Sequence, residues 1–428
     1  MRTVSKTVIG VDFGTQSARA VLVNAENGEI IYSCRKEYPY NSTPVPAIDC
    51  AENLPCATDY EMTLYELLRN VIPEEYRKTV AGICVDATSL TMVLLAEDGR
   101  ALSELDGWSE AAHARVKLWK YHRAQEKADE ALNLARNLQE PFLGRTGGSI
   151  SCEWMLPKLL EVRDEAPEIY SKIDLAMDLC EFLTFRLTGQ LVRSIGSLSY
   201  KCLWAEDLSF PERTFLNGLR AGFYEEYCHF LRGDVRKLGE CAGVLRSELT
   251  KRWGLPEQIP VATGMLDGHT SLATMGAFEP GDAALIVGTS NVCTVQDRKL
   301  QELKDVCGVA QDGMVTGSCG IDTGQSSTGN MLGWFVEHMA GWQIHREAEE
   351  RKISPHQVLA ERIQKPWENK VIAVDWWSGS RNAPCDLTLR GSMSGLEMDT
   401  KTEDIYLALL QAIACGNGTI LGSLSGQG

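Results

Sequence analysis

At 428 residues, the chain is long enough for two or three domains of about 150 residues each. Its 44% hydrophobic and 23% charged residues are those of a globular chain with a substantial core. A net charge of −16 excludes nucleic acid and anionic membrane as expected partners, because both call for clustered Lys and Arg. No apolar run approaches the roughly 18 residues of a membrane span, and the basic start "MRTVSKTVIGVDF" has neither a signal-peptide core nor a small-residue cleavage site. A cytoplasmic protein is expected. None of the fourteen cysteines forms Cys-x-x-Cys, and Cys84, Cys293 and Cys415 lie in apolar runs, so buried free thiols in a reducing compartment are expected.

In chain order, "TVIGVDF" reads as a buried β-branched strand, and "ARAVLVNAENGEIIYS" as two more strands around an Asn27-Gly28 turn. Asp12, Gly14 and Thr15 then sit at a hairpin tip. Glycine lets backbone N–H groups approach a ligand there, a threonine hydroxyl can bind a phosphate oxygen, and a carboxylate can hold hydrated Mg²⁺. A helix follows over "DYEMTLYELLRNVI", then "VAGICVDATSLTMVLLAEDGRAL" reads as a second strand, Asp and turn, with another strand and an Asp98-Gly99 turn. Residues 109–138 have helical composition throughout, predicting one long helix or two in series. The middle of the chain is mostly helical, around "EWMLPKLLEVRDEAP" and "DLAMDLCEFLTFRLTG".

At "QIPVATGMLDGHTSLATMGAFEPGDAALIVGTSNVCTVQD" strands return. "AALIVGTSNVCTVQD" repeats the opening pattern of apolar strand, Gly-Thr turn and second strand. Two such halves facing each other can grip a phosphate chain from both sides. The boundary is expected near residue 250, giving domains 1–250 and 251–428.

Two Gly-Thr hairpins flanking "GMLDGHTS" form a specific set, and it resembles the FGGY carbohydrate kinases of the actin-like fold. Within that family the chain is most similar to the L-ribulokinases. The likeness runs through "VDFGTQSARA", "GICVDATS", "LWKYHRAQEKADE", "SYKCLWAED", "GMLDGHTS", "VGTSNVC", "GIDTGQSSTGN" and "VDWWSGSRN". The resemblance implies an α/β, ribonuclease H-like two-domain fold and ATP-dependent phosphorylation of a ketopentose, L-ribulose to L-ribulose 5-phosphate in L-arabinose catabolism.

It also implies site roles. Asp267 matches the general base that takes the proton of the attacking sugar hydroxyl, and an N-cap role for the same carboxylate is compatible with that. Gly14, Thr15 and Gln16 match the first phosphate motif, with Asp12 near Mg²⁺, and Gly288, Thr289 and Ser290 match the second. Ala87, Trp119 and Lys201 match the sugar side. Asp322 also falls there, where ribulokinase-like sequences carry Glu. One methylene fewer leaves the choice of pentulose or pentitol open. His269 can tune Asp267, although a structural role fits it better.

A second departure lies at the end, where family members continue into a Gly-Gly strand-turn that cradles adenine. The sequence ends in "TILGSLSGQG", so the second domain is expected to lack its final portion, with the last helix cut short by Gly416 and Gly418. The alternatives are a sugar-binding remnant without kinase activity, another pentulose or pentitol kinase, and an actin-like or chaperone-type ATPase. The partners expected are a small sugar and MgATP, with a homo-oligomer possible by analogy.

Overall fold

The computed structural model describes residues 5–38, 54–381, 386 and 388–427. Strands β1 (Thr7–Phe13), β2 (Ser17–Asn24) and β3 (Ile30–Glu37) form an antiparallel meander. Alternation along β1 sends Ile9, Val11 and Phe13 into the core and leaves Asp12 on the opposite face. β4 (Val80–Ala87) lies parallel to β1, with Asp12 directly opposite Asp86. The helix Ala57–Val71 packs on β2 and β3, burying Leu64, Leu67 and Leu68.

β5 (Met92–Leu95) leaves this sheet and pairs with β6 (Leu175–Asp178). A short parallel pair, β7 (Val192–Ser194) with β8 (Asp234–Arg236), follows. Then β9 (Cys241–Val244), β10 (Pro260–Ala262) and β11 (Met265–Leu266) rejoin the first sheet beside β4. Because that sheet takes in residues as late as Leu266, the passage between the halves falls after it, later than residue 250.

The second sheet runs β12 (Ala283–Val287), β13 (Asn291–Asp297), β15 (Cys319–Gln325), β14 (Gly308–Gln311), all antiparallel. A small ribbon, β16 (Ile372–Val374) with β17 (Ser392–Ser394), precedes the last helix. β1 is flanked on both sides, by β2 and β4, whereas β12 has a partner on one side only among the described residues. Leu285 and Val287 are correspondingly exposed, Val287 at 69%.

Three expectations are corrected. Residues 109–124 are turns with a short 3-10 segment, Ala112–Ala114, and only Gln125–Leu138 is α-helix. The cause is Lys117, which pairs in the backbone with Met92 at the edge of β5 while its ammonium is buried against Glu161 at 2.8 Å. Tertiary contacts override propensity there. In "DLAMDLCEFLTFRLTG" Leu175–Asp178 are β6, and the helix is Leu179–Thr188, closed by Gly189 in the left-handed conformation.

The last helix does not stop at its glycines but runs Thr402–Gln427. Gly416 leaves room for a packed side chain: a Cβ there would lie 2.1 Å from Gln325 Nε2, which donates to Ile413 O at 3.1 Å and also to Asp375. This helix is long and apolar enough to cross a bilayer by length and composition, which a search for unbroken apolar runs does not detect. Its Tyr406 and Leu409 pack with Met331, Phe335, Val358 and Leu359 in the core of the second half. The cysteines of the described residues are free; Cys293 is buried and Cys84 half-buried, but Cys415 is exposed on the last helix.

Candidate active site

Three adjacent strands of the first sheet end at the same place. Asp12 is the penultimate residue of β1, Asp86 is opposite it on β4, and Asp267 follows β11, whose Met265 pairs with Asp86. Crevices at the carboxyl ends of such strands are where ligands bind in open α/β sheets. Asp267 is the first residue of the helix Asp267–Met275, and its Oδ1 accepts the Gly268 N–H at 2.7 Å. The N-cap expectation is corrected: Leu266 is the N-cap, and Asp267 lies one residue inside the helix, accepting from its neighbour's N–H.

The electrostatics of this group are unusual. Burial, together with the charge and a hydrogen bond of Asp12, pushes Asp86 up to about 9. Burial also pushes Asp267 up to about 6; the Gly268 N–H opposes the shift and the charge of Asp12 adds to it. Three converging carboxyls favour a bound cation.

Among the described residues no group of three His, Cys, Asp or Glu is arranged to hold a metal ion by itself. Mg²⁺ in nucleotide sites rests on one or two carboxylates, water and phosphate oxygens. The Asp12–Asp86 pair fits that donor set.

These residues open into a cavity of about 660 Å³ lined from both halves. Asp12, Thr15, Asp86, Trp119, Lys201 and Asp267 come from or adjoin the first sheet and its helices. Gly288, Thr289, Ser290, Asp322 and Arg381 come from the second half.

The two Gly-Thr turns are held differently. In the first, Gly14 O accepts from Tyr38 Oη at 2.9 Å, Phe13 O from the Thr88 N–H at 2.9 Å, and Thr15 Oγ1 from Trp119 Nε1 at 3.1 Å. In the second, Gly288 O accepts from Thr328 Oγ1 at 2.9 Å and from the Gly329 N–H at 3.0 Å, while Thr289 O accepts from the N–H groups of Thr328 and Asn330. The start of the helix Gly329–His338 thereby clasps the second hairpin. Its approach requires glycine, since a Cβ on Gly329 would meet Gly288 O at 2.5 Å.

On the far side of the cavity, Lys201 ends the helix Ile195–Lys201 and donates to Asp322 Oδ2 on β15 at 2.9 Å. Burial would raise the Asp322 carboxyl, but Lys201 and His269 hold it well below the usual range. His269 Nε2 is 3.5 Å from Asp322, and its ring lies 4.7 Å from that of Tyr200. His269 therefore serves Asp322, not Asp267.

Not every expected residue reaches the cavity. Ala87 points into the core of the first sheet, because strand alternation turns Asp86 to the cavity and Ala87 away. Gly14 and Gln16 shape the first turn without lining the cavity, and Gln16 is exposed.

Sequence reading missed Asp86, although the strand, Asp and turn unit containing it was visible. It also missed Glu153 and Arg381. Their pairing spans 228 positions, and no local pattern announces it.

The chain matches two family descriptions, "FGGY family of carbohydrate kinases, N-terminal domain" over residues 7–274 and the corresponding C-terminal domain over 283–428. A ribulokinase of Halalkalibacterium halodurans is 33% identical over 434 residues, covering 99% of this chain and 77% of the relative. One from Mycolicibacterium smegmatis is 35% identical, again covering 99% and 77%. Among solved structures, a ligand-bound xylulose kinase from Lactobacillus acidophilus superposes with a TM-score of 0.74 at 18% identity, covering 95% of this chain and 76% of that one. Plasmodium falciparum glycerol kinase with ADP gives 0.76 at 16% identity, covering 99% and 79%. The fold is that of the two-domain, actin-like sugar kinases, and the chain belongs to the FGGY family of carbohydrate kinases.

Proposed function

We propose that this chain transfers the γ-phosphoryl group of ATP to L-ribulose, giving L-ribulose 5-phosphate and ADP. The observation that carries the reading is the set of carboxyls at the ends of β1, β4 and β11, facing two Gly-Thr hairpins across one cavity. Asp267 takes the proton of the sugar hydroxyl as its oxygen attacks the γ-phosphorus. A carboxyl raised to about 6 is ionised at neutral pH and remains a better proton acceptor than an ordinary aspartate.

Thr15, its hydroxyl oriented by Trp119, and the turn Gly288–Ser290 take the phosphates from opposite sides of the cavity. Asp12 and Asp86 are the residues that would hold Mg²⁺. Bound there with the nucleotide, Mg²⁺ would neutralise phosphate charge, and its field would favour the ionised form of the Asp86 carboxyl. Trp119, Lys201 and Asp322 form the sugar side.

The ribulokinase relatives support the choice of L-ribulose. One feature favours a second reading. Asp322 is already neutralised by Lys201 at 2.9 Å, so the pair presents a compact polar wall that suits another pentulose or a pentitol of different hydroxyl configuration.

The test is to supply MgATP with L-ribulose, D-ribulose, D-xylulose or ribitol in turn, and to measure ADP and phosphorylated sugar. L-ribulose is expected to give the highest kcat/KM. Faster turnover of one of the others selects the second reading, and no stimulation of ADP release by any sugar contradicts the kinase assignment.

A further inference from the structure

Besides Lys201–Asp322, a second buried ion pair bridges the two halves inside the cavity. Arg381, between β16 and β17, donates through Nη2 to Glu153 Oε1 at 2.8 Å, just before the helix Met155–Glu165 of the first half. Glu153 also accepts from His122 Nε2 at 3.0 Å. Burial would raise the Glu153 carboxyl, but Arg381 and His122 hold it down to about 2. The pair is therefore ionised throughout the working pH range.

Buried ion pairs add little net stability, because desolvation offsets the attraction; what they fix is position. The Arg381 guanidinium carbon is 5.6 Å from the Trp119 ring centroid. The indole N–H of the same Trp119 reaches Thr15 on the first phosphate hairpin at 3.1 Å. Glu153, Arg381, Trp119 and Thr15 thus form one connected path along the cavity wall, and all four line the cavity.

Taking the kinase reading as its basis, we propose that Arg381 is a positioning residue. Pinned to Glu153 across the cleft, it stacks on Trp119 and sets the wall against which the sugar lies. The latch exists only when the halves are close enough for the 2.8 Å contact, so it couples closure to the placing of Trp119. Lysine at 381 can keep the charge contact with Glu153 but has no planar group to lay over the indole. This separates stacking from simple pairing.

The experiment measures sugar KM, ATP KM and thermal midpoint for the wild type, Arg381→Lys, Arg381→Ala and Trp119→Phe, and for Arg381→Lys combined with Trp119→Phe. Arg381→Lys is expected to melt near the wild type yet raise the sugar KM about 10-fold, because an ammonium held at Glu153 has no planar group to lay over the indole. Its ATP KM should stay within about 2-fold of the wild type, a change too small to represent a lost contact. The double variant should show less than the product of the two single effects, because both act on one wall.

An Arg381→Lys enzyme with unchanged sugar KM, or with sugar and ATP KM raised equally, overturns the proposal while leaving the kinase reading in place. A wild type whose ATP turnover responds to no sugar removes both. If Arg381→Ala does not fold, the lysine variant and the double variant still decide the question.

Discussion

The two Gly-Thr hairpins share a sequence pattern but not a support. The first, at Gly14 and Thr15, follows a strand that carries Asp12, lies in a sheet flanked on both sides, and is held by side chains: Tyr38 on Gly14 and Trp119 on Thr15. The second, at Gly288 and Thr289, has Ile286 where the first has Asp12. It is held by the start of the helix Gly329–His338, through the N–H groups of Thr328, Gly329 and Asn330 together with the Thr328 hydroxyl, and it follows a strand paired along one edge only among the described residues. On the proposed function this difference divides the labour: the first hairpin would bring charge and communicate with the sugar wall, and the second would bring backbone donors whose position depends on one helix.

The largest effect that would sharpen this contrast is expected from Asp12→Asn. The change is isosteric, so the fold should persist, while kcat falls by about 10²–10³-fold for loss of an electrostatic group at the reacting phosphate. The Mg²⁺ concentration needed for half-maximal rate should also rise. Steady-state rates across a Mg²⁺ titration check this, and an unchanged Mg²⁺ requirement would break the assignment of charge to the first hairpin.

Next comes Gly329→Ala. Its Cβ would sit 2.5 Å from Gly288 O, so helix and hairpin must part, at a cost of about 1–3 kcal/mol. The ATP KM should rise about 10-fold with the sugar KM little changed. If sugar and ATP are affected alike, the second hairpin is not the specialised backbone support described above.

The pattern of the two hairpins was legible in the sequence because each is local: an apolar strand, a Gly-Thr turn and a second strand lie within about a dozen residues of one another. Asp267 was legible for the same reason, as a carboxylate placed where a strand turns into a helix. The inter-half contacts were not. Glu153 with Arg381 and Lys201 with Asp322 lie far apart in sequence, and nothing periodic links them. Residues 109–124 look helical but are tied down by the buried Lys117, whose partner Glu161 lies 44 positions away. Gly416 looks like a helix breaker until Gln325 is seen packed against it. Ala87 was placed one residue from the side chain that matters, since only strand register decides which of Asp86 and Ala87 faces the cavity.

The central claim is that Asp267 is the base between the two hairpins, and it is tested most directly by sugar-dependent ADP formation at saturating MgATP and sugar, measured against pH for the wild type and Asp267→Asn. A carboxyl raised to about 6 must be ionised to accept a proton. The wild-type rate should therefore rise up to tenfold per pH unit below about 6 and flatten above it. Asp267→Asn should be slower by about 10²–10⁴-fold, without that limb. An Asp267→Asn enzyme that keeps the wild-type rate, or the same acidic limb, would contradict the account.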